Sequence, residues 1–298
     1  MIRFLSAIGM SQYCEPQKLE ELIRTQLADP DCELRTYLRK DSGCLQFELM
    51  KNMGPFGLNI IGLKVNKETV TGFFPMVREL RGDRYRECEI KEERPGCFYM
   101  NGLEEVSGEG VKMLLTSGFG LFDHGELHAR PEWRYSRYGL SVAGKILLGV
   151  ERDEEEMAAM DEEEMWRRDL LNRALQGDED AIEEAEDFAE STEEEIRDRL
   201  RFEDIYTILD GFFMQRGSLN QYSMLGEIQY VDKMMNPKTE EWVYRLQVKI
   251  LGTSLGVYIN PKDLVGQPAK GRRFQGEILL QGMACPELLL LDKNRGFF

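Results

Sequence analysis

The sequence predicts an α+β protein. Two mainly antiparallel β units are joined by an acidic helical insert, and the C-terminal unit is a small barrel or a strongly curved sheet. Three observations lead to this expectation. Negative charge is concentrated in one block: Glu151 to Asp204 holds 24 Asp and Glu against 7 Arg and no Lys, a net of −17, whereas the whole 298-residue chain carries −16. On either side of the block apolar residues alternate as in strands, and within it they recur at helical spacing. Short turns rich in Gly, Pro and Asn separate the strand runs, which favours hairpin returns over βαβ crossovers. The expected domains are therefore an N-terminal α+β domain (1–150), the acidic insert (151–204) and a C-terminal β-rich domain (205–298), a length and 42% hydrophobic content that support real cores.

The elements follow in order. Glu15 and Pro16 open a helix whose Leu19, Leu22, Ile23 and Leu27 share a face, and Pro30 ends it. The period then switches to strands: CLQFELM alternates through Leu45, Phe47 and Leu49, and LNIIGLKV, TVTGFFPMV, FYMNGLEEV, GVKMLLT and GLSVAGKILLGV follow. In the insert, Met157, Met160, Leu170, Leu171, Ala174 and Leu175 form one apolar stripe with Trp166 at its edge. Gly177 is a stop signal and Asp178 the next N-cap. Ala181, Ile182, Ala185, Phe188 and Ala189 line a second helix, and Thr192 with Glu195 has the capping-box spacing that opens a third. Beyond the insert, IYTILDGFFM, SMLGEIQYV, EWVYRLQVKIL, LGVYIN and GEILLQGMA are strands, enough in about 80 residues for a small barrel. GLSVAGKILLGV (139–150) and GRRFQGEILLQGM (271–283) share Gly, four residues and G-[KE]-I-L-L, which raises the possibility of a duplicated β unit.

Composition excludes several functions. The acidic balance argues against direct nucleic-acid binding, which needs clustered Lys and Arg to neutralise phosphates, and against an anionic membrane surface. No apolar run approaches the ~20 residues that span a bilayer. The N-terminal MIRFLSAIGM is interrupted by Ser6 and Gly9 and does not read as a secretory segment. Cys14, Cys32, Cys44, Cys88, Cys97 and Cys285 are scattered without a CxxC pair, the pattern of reduced thiols in a cytoplasmic protein and not of a zinc site.

Chemistry-bearing motifs are sparse. His124 and His128 stand four apart beside Asp123 and Glu126, a two-imidazole spacing that binds metal on a helix, but Gly125 favours a polar loop and no third ligand is near. No nucleophile elbow, Walker sequence, HExxH or Ca²⁺ loop is present. The sharpest local candidate is the turn carrying Lys270, Arg272 and Arg273, framed by Gly266, Pro268, Gly271 and Gly276. Arginines beside glycine-rich backbone can fork onto a phosphate or carboxylate, or can pair with the chain's own acidic helices.

The strings DLVGQPAKGRRFQGEILLQG, YSMLGEIQYV, NPKTEEWVYRLQV, ALQGDEDAIEEAED and RFLSAIGMS resemble an uncharacterised domain-of-unknown-function family of clostridial Firmicutes over nearly the whole chain. Gln267 and Leu279 depart from that family's pattern, which has Glu and Trp there. The resemblance implies a cytoplasmic bacterial protein and carries no catalytic residue, ligand or cofactor. The function expected is a non-enzymatic interaction or regulatory protein that meets a basic protein partner through its acidic helical face. The alternatives are an enzyme or binder of a small anionic ligand at the Lys270/Arg272/Arg273 turn, and a nucleic-acid mimic. No cofactor or metal is expected, and the oligomeric state is not legible.

Overall fold

The computed structural model describes residues 1–38, 43–64, 68–78, 82–104, 108, 110–118, 121–123, 126–127, 134–150, 154–199, 201–202, 209, 211–217, 220–250 and 252–284. It is an α+β protein dominated by sheet. Two 3₁₀ segments, Ile2–Ile8 and Ser11–Cys14, precede α1 (Pro16–Leu27). Pro16 suits the first turn of α1, where its missing N–H would have no partner anyway. Leu19 and Leu22 are buried as their spacing predicts, but Leu27 is exposed. Gln26 takes the inward position instead, its Nε2 donating to the carbonyls of Leu49 and Leu58, each at 3.0 Å.

Strands β1 (Glu33–Leu38), β2 (Leu45–Met53), β3 (Phe56–Lys64) and β4 (Glu68–Val77) form an antiparallel meander in sequence order. The alternation in β2 predicts one polar, solvated face. Both faces are buried, because the second lies against the other sheet. There the Glu48 carboxylate accepts from Ser117 Oγ at 2.9 Å and from the Gly118 N–H at 2.7 Å, so its charge is hydrogen-bonded as burial requires. α1, the first 3₁₀ segment and this meander cover one outer wall of the second sheet, with Leu5, Ile8, Phe56 and Leu58 packed on Tyr138, Tyr258 and Leu279.

The second sheet is mixed and ring-like. It contains β5 (Gly82–Arg94), β6 (Cys97–Glu104), β7 (Gly110–Leu115) and β10 (Arg134–Leu147); between the last two in sequence, β8 (Phe122–Asp123) and β9 (Glu126–Leu127) form a separate two-stranded ribbon. After the helices α2 (Glu154–Leu175) and α3 (Glu179–Arg199) it continues with β11 (Phe212–Arg216), β12 (Gln221–Met235), β13 (Trp242–Ile250), β14 (Thr253–Ile259), β15 (Leu264–Val265) and β16 (Arg273–Ala284). Strands from both sides of the helices interleave: β10 pairs antiparallel with β16 and parallel with β14 and β15, while β16 pairs parallel with β7. The parallel pairs were not anticipated. They arise because each meander lies against the last strand of the other, a long-range pairing that turn lengths do not reveal. β5, missed at the sequence level because charged residues fill its outer face, closes one ring onto β10, and β12 closes the other onto β16.

The two sets of strands, β5–β6–β7–β10 and β12–β13–β14–β16, are related by a pseudo-two-fold. Gly139 lies opposite Leu280, and a shift from 139 to 280, 141 residues, carries the pair Tyr135/Asp83 onto Gly276/Met224. Leu140 beside Tyr258 corresponds to Gln281 beside Leu114. Even the irregularity recurs, with Glu89 opposite Asn101 matching Tyr230 opposite Gln247. The duplication read from GLSVAGKILLGV and GRRFQGEILLQGM thus has structural support at a different alignment. The matched glycines Gly144 and Gly276 do face each other, but superposing them, a shift from 144 to 276, does not superpose the ladders.

Candidate functional site

The basic turn is built by backbone hydrogen bonds. Gly271 adopts φ +79° and its N–H donates to the Ile228 carbonyl at 2.8 Å, while the Ile228 N–H donates to the Arg272 carbonyl at 2.7 Å. The Arg272 N–H closes the turn on Ala269 at 3.2 Å, so these amides are engaged within the chain. Arg272 Nη1 donates to the Gln267 carbonyl at 2.8 Å. Arg273 Nε donates to the Leu148 carbonyl at 3.1 Å and Nη1 to the Leu209 carbonyl at 3.3 Å. Leu148 follows β10 and Leu209 precedes β11, so one guanidinium binds the chain on both sides of α2 and α3. Gly149 passes directly across the turn, where a Cβ would lie 2.2 Å from the Gly271 carbonyl oxygen. Lys270 stands exposed at the tip. The three cations are thus brought together, and the two arginines are held by main-chain carbonyls of their own protein.

The second candidate is the helical pair. Gly177, at φ +87°, ends α2, and Asp178 caps α3 by accepting from the Ala181 N–H at 3.2 Å, both as the sequence predicts. Arg173 closes the turn on Asp178 at 2.9 Å. The Ala181 N–H and the Arg173 guanidinium hold the Asp178 carboxyl below the usual carboxylate range. Leu170 and Ala181 are buried, and Trp166 meets Phe188 edge-on at 5.1 Å. The predicted third helix does not form. α3 runs on to Arg199, because Thr192 Oγ1 donates back to the Phe188 carbonyl at 2.8 Å instead of capping a new start. Leu171 and Ile182, expected on the apolar stripes, are largely exposed, and the side chains of Met157, Met160 and Leu175 lie outside the described residues. On the outer side of α3, Glu183, Asp187, Glu190 and Glu194 recur at helical spacing and are all exposed.

His124, His128 and Cys285 lie outside the described residues. Among the described residues no group of three or more His, Cys, Asp and Glu is placed to hold a metal, and Cys14, Cys32, Cys44, Cys88 and Cys97 are free thiols. Burial raises the Cys97 and Cys88 thiols above their ordinary pKa, which lowers their reactivity. No described helix is long and apolar enough to cross a membrane.

One polar group has no counterpart in the sequence reading. Inside the first ring, the Arg137 side chain is 2% exposed, donates from Nη2 to Thr253 Oγ1 at 2.7 Å and lies 3.8 Å from Asp83 Oδ2. Glu104 and Tyr85, register partners on β6 and β5, are buried beside it. The residues come from four separate strands, β5, β6, β10 and β14, so no spacing could have signalled them.

The profile of a family described as a domain of unknown function, E. rectale gene description (DUF3881), matches residues 5–282, and the chain belongs to that family. No curated protein and no solved structure matches it. Three strings that carried the resemblance meet in space as a lock on the N-terminal segment. Asn236 Nδ2 donates to the Ile8 carbonyl at 2.7 Å, and Thr239 Oγ1 donates to the Gly9 carbonyl. Glu241 accepts from Ser11 Oγ at 2.7 Å and Asn260 Nδ2 at 3.0 Å, and Ser6 Oγ donates to Asp263 at 2.5 Å. Their role here is structural: each buried polar group is answered by another.

Proposed function

We propose that this chain is a non-enzymatic interaction protein of the cytoplasm whose α2–α3 arm presents an acidic face to a basic protein partner. The observation that carries the reading is the exposed column Glu183, Asp187, Glu190 and Glu194 on an arm whose apolar side is occupied by its own two helices. Carboxylates packed this densely repel one another, and a cationic surface relieves that repulsion. Arg273 supports the reading by holding the arm's base, since a fixed surface loses less entropy on binding than a free tether. The free thiols agree with a reducing compartment.

Affinity capture from native cytosol tests this with the intact chain and an E183Q/D187N/E190Q/E194Q variant. The expected result is a basic protein retained by the wild type, lost from the variant, and released between ~0.05 and ~0.5 M salt as screening shortens the reach of the charges. Equal retention by both chains overturns the proposal.

A further inference from the structure

The α2–α3 arm leaves one apolar flank open. Its helices, 22 and 21 residues long, pack chiefly on each other. Among the described residues Leu170 and Ala181 are the arm's buried side chains, one on each helix. The next residue on each helix, about 100° further round, is also apolar: Leu171 is 36% and Ile182 40% exposed. Because the two helices run antiparallel, the same rotation away from the buried seam leads to the same flank of the pair. On α3 the flank continues in heptad steps from Ile182 to Ala189, which is exposed, and Ile196, which is half-buried. Trp166 and Phe188 meet edge-on along the other flank. Helices in proteins draw most of their stability from packing an amphipathic face, and this pair buries little of its own. A third helix laid along Leu171, Ile182, Ala189 and Ile196 supplies the missing contact.

Charge selects the occupant. Glu186 stands four residues after Ile182 and three before Ala189, so it borders the flank, and Glu183 and Glu190 of the exposed column each follow a flank residue. All three are exposed. The block that contains the arm carries −17, so a second copy laid on the flank sets carboxylate against carboxylate. A cationic helix with one apolar face answers both features. Its apolar side chains fill the flank, and Lys or Arg along its edge pairs with Glu183, Glu186 and Glu190, the pattern by which flanking charges choose partners in helical bundles.

Building on the reading of the arm as an acidic docking surface, we infer that its partner contributes an amphipathic α-helix with a basic edge. This helix lies along Leu171, Ile182, Ala189 and Ile196 and completes a three-helix bundle.

Two labelled model peptides of identical composition test the inference on the full chain by fluorescence anisotropy. One is a Leu/Lys helix about three heptads long with leucine at the a and d positions. The other is a permuted sequence whose leucines are spread evenly around the helix. The amphipathic peptide is expected to bind about tenfold more tightly than the permuted one, since only it can bury its leucines on the flank. It is also expected to slow amide exchange in α2 and α3. The preference should disappear in the L171Q/I182Q chain, where both substitutions fall at exposed positions. Equal binding of the two peptides, or a preference that survives in L171Q/I182Q, overturns the inference. If that equal binding is lost in E183Q/D187N/E190Q/E194Q, the acidic-face reading stands without the helix. Absence of binding by either peptide overturns the inference as well, and so does a chain that dimerises in sedimentation equilibrium and returns to monomer in L171Q/I182Q.

Discussion

The first and second strand sets share the register of most of their paired positions and differ in what they enclose. One holds Asp83, Glu104 and Arg137 where the other holds Met224, Ile250 and Ile278. The difference teaches that backbone pairing and burial define this architecture, while the chemical character of an inward position is free to diverge once the ring closes. It also separates two kinds of buried polar group in one molecule. The Glu48 and Glu241 carboxylates answer backbone or hydroxyl donors and hold segments together. The Arg137 group occupies positions at which the second set carries apolar residues.

Substitutions can break or sharpen this comparison. The largest expected effect is in the apolar ring: Phe274→Ala empties a fully buried ring site and should cost about 3–5 kcal/mol in urea unfolding. Arg137→Ala, which removes a buried guanidinium 3.8 Å from the Asp83 carboxylate, should cost about 3 kcal/mol, whereas D83M/E104I/R137I should recover the loss or exceed wild-type stability. A triple variant as unstable as the single one would show that the charges hold the ring together. Gln281 is the polar counterpart of Leu140, fully buried with neither end of its amide hydrogen-bonded among the described residues, so Gln281→Leu should stabilise by about 1 kcal/mol. The smallest effect is on the arm. Because the folded Asp178 carboxyl lies below its unfolded value, its contribution is present above about pH 4 and fades as pH falls through the folded pKa. Asp178→Ala should therefore speed amide exchange in the first turn of α3 at neutral pH, and the difference from wild type should vanish in acid.

Local features were legible in proportion to how local their causes are. Pro16 at the start of α1, Gly177 and Asp178 between α2 and α3, and the strands around Phe47, Leu225 and Leu246 follow from dihedral preference and periodicity alone. Thr192 misled because its hydroxyl can cap forward or bond back to Phe188, and only the continuing helix chose. The basic turn was visible as a cluster, but its hydrogen bonds to Leu148 and Leu209 were not, since those carbonyls lie 125 and 64 residues away. β5 was hidden by its charged outer face, and with it the ring and its interior.

The sequence by itself determined that this is a mixed helix and strand protein, that its acidity belongs to one stretch, where most of its turns and caps fall, and which family it resembles. These depend on composition and on contacts between near neighbours. Tertiary structure alone decided that β10 and β16 lie side by side, that each meander packs against the other's last strand, and that Arg137 meets Asp83 and Thr253 inside a ring. Those arrangements depend on pairings between residues far apart in the chain, where backbone hydrogen bonding is nearly indifferent to side-chain identity and the burial of whole faces selects the partner.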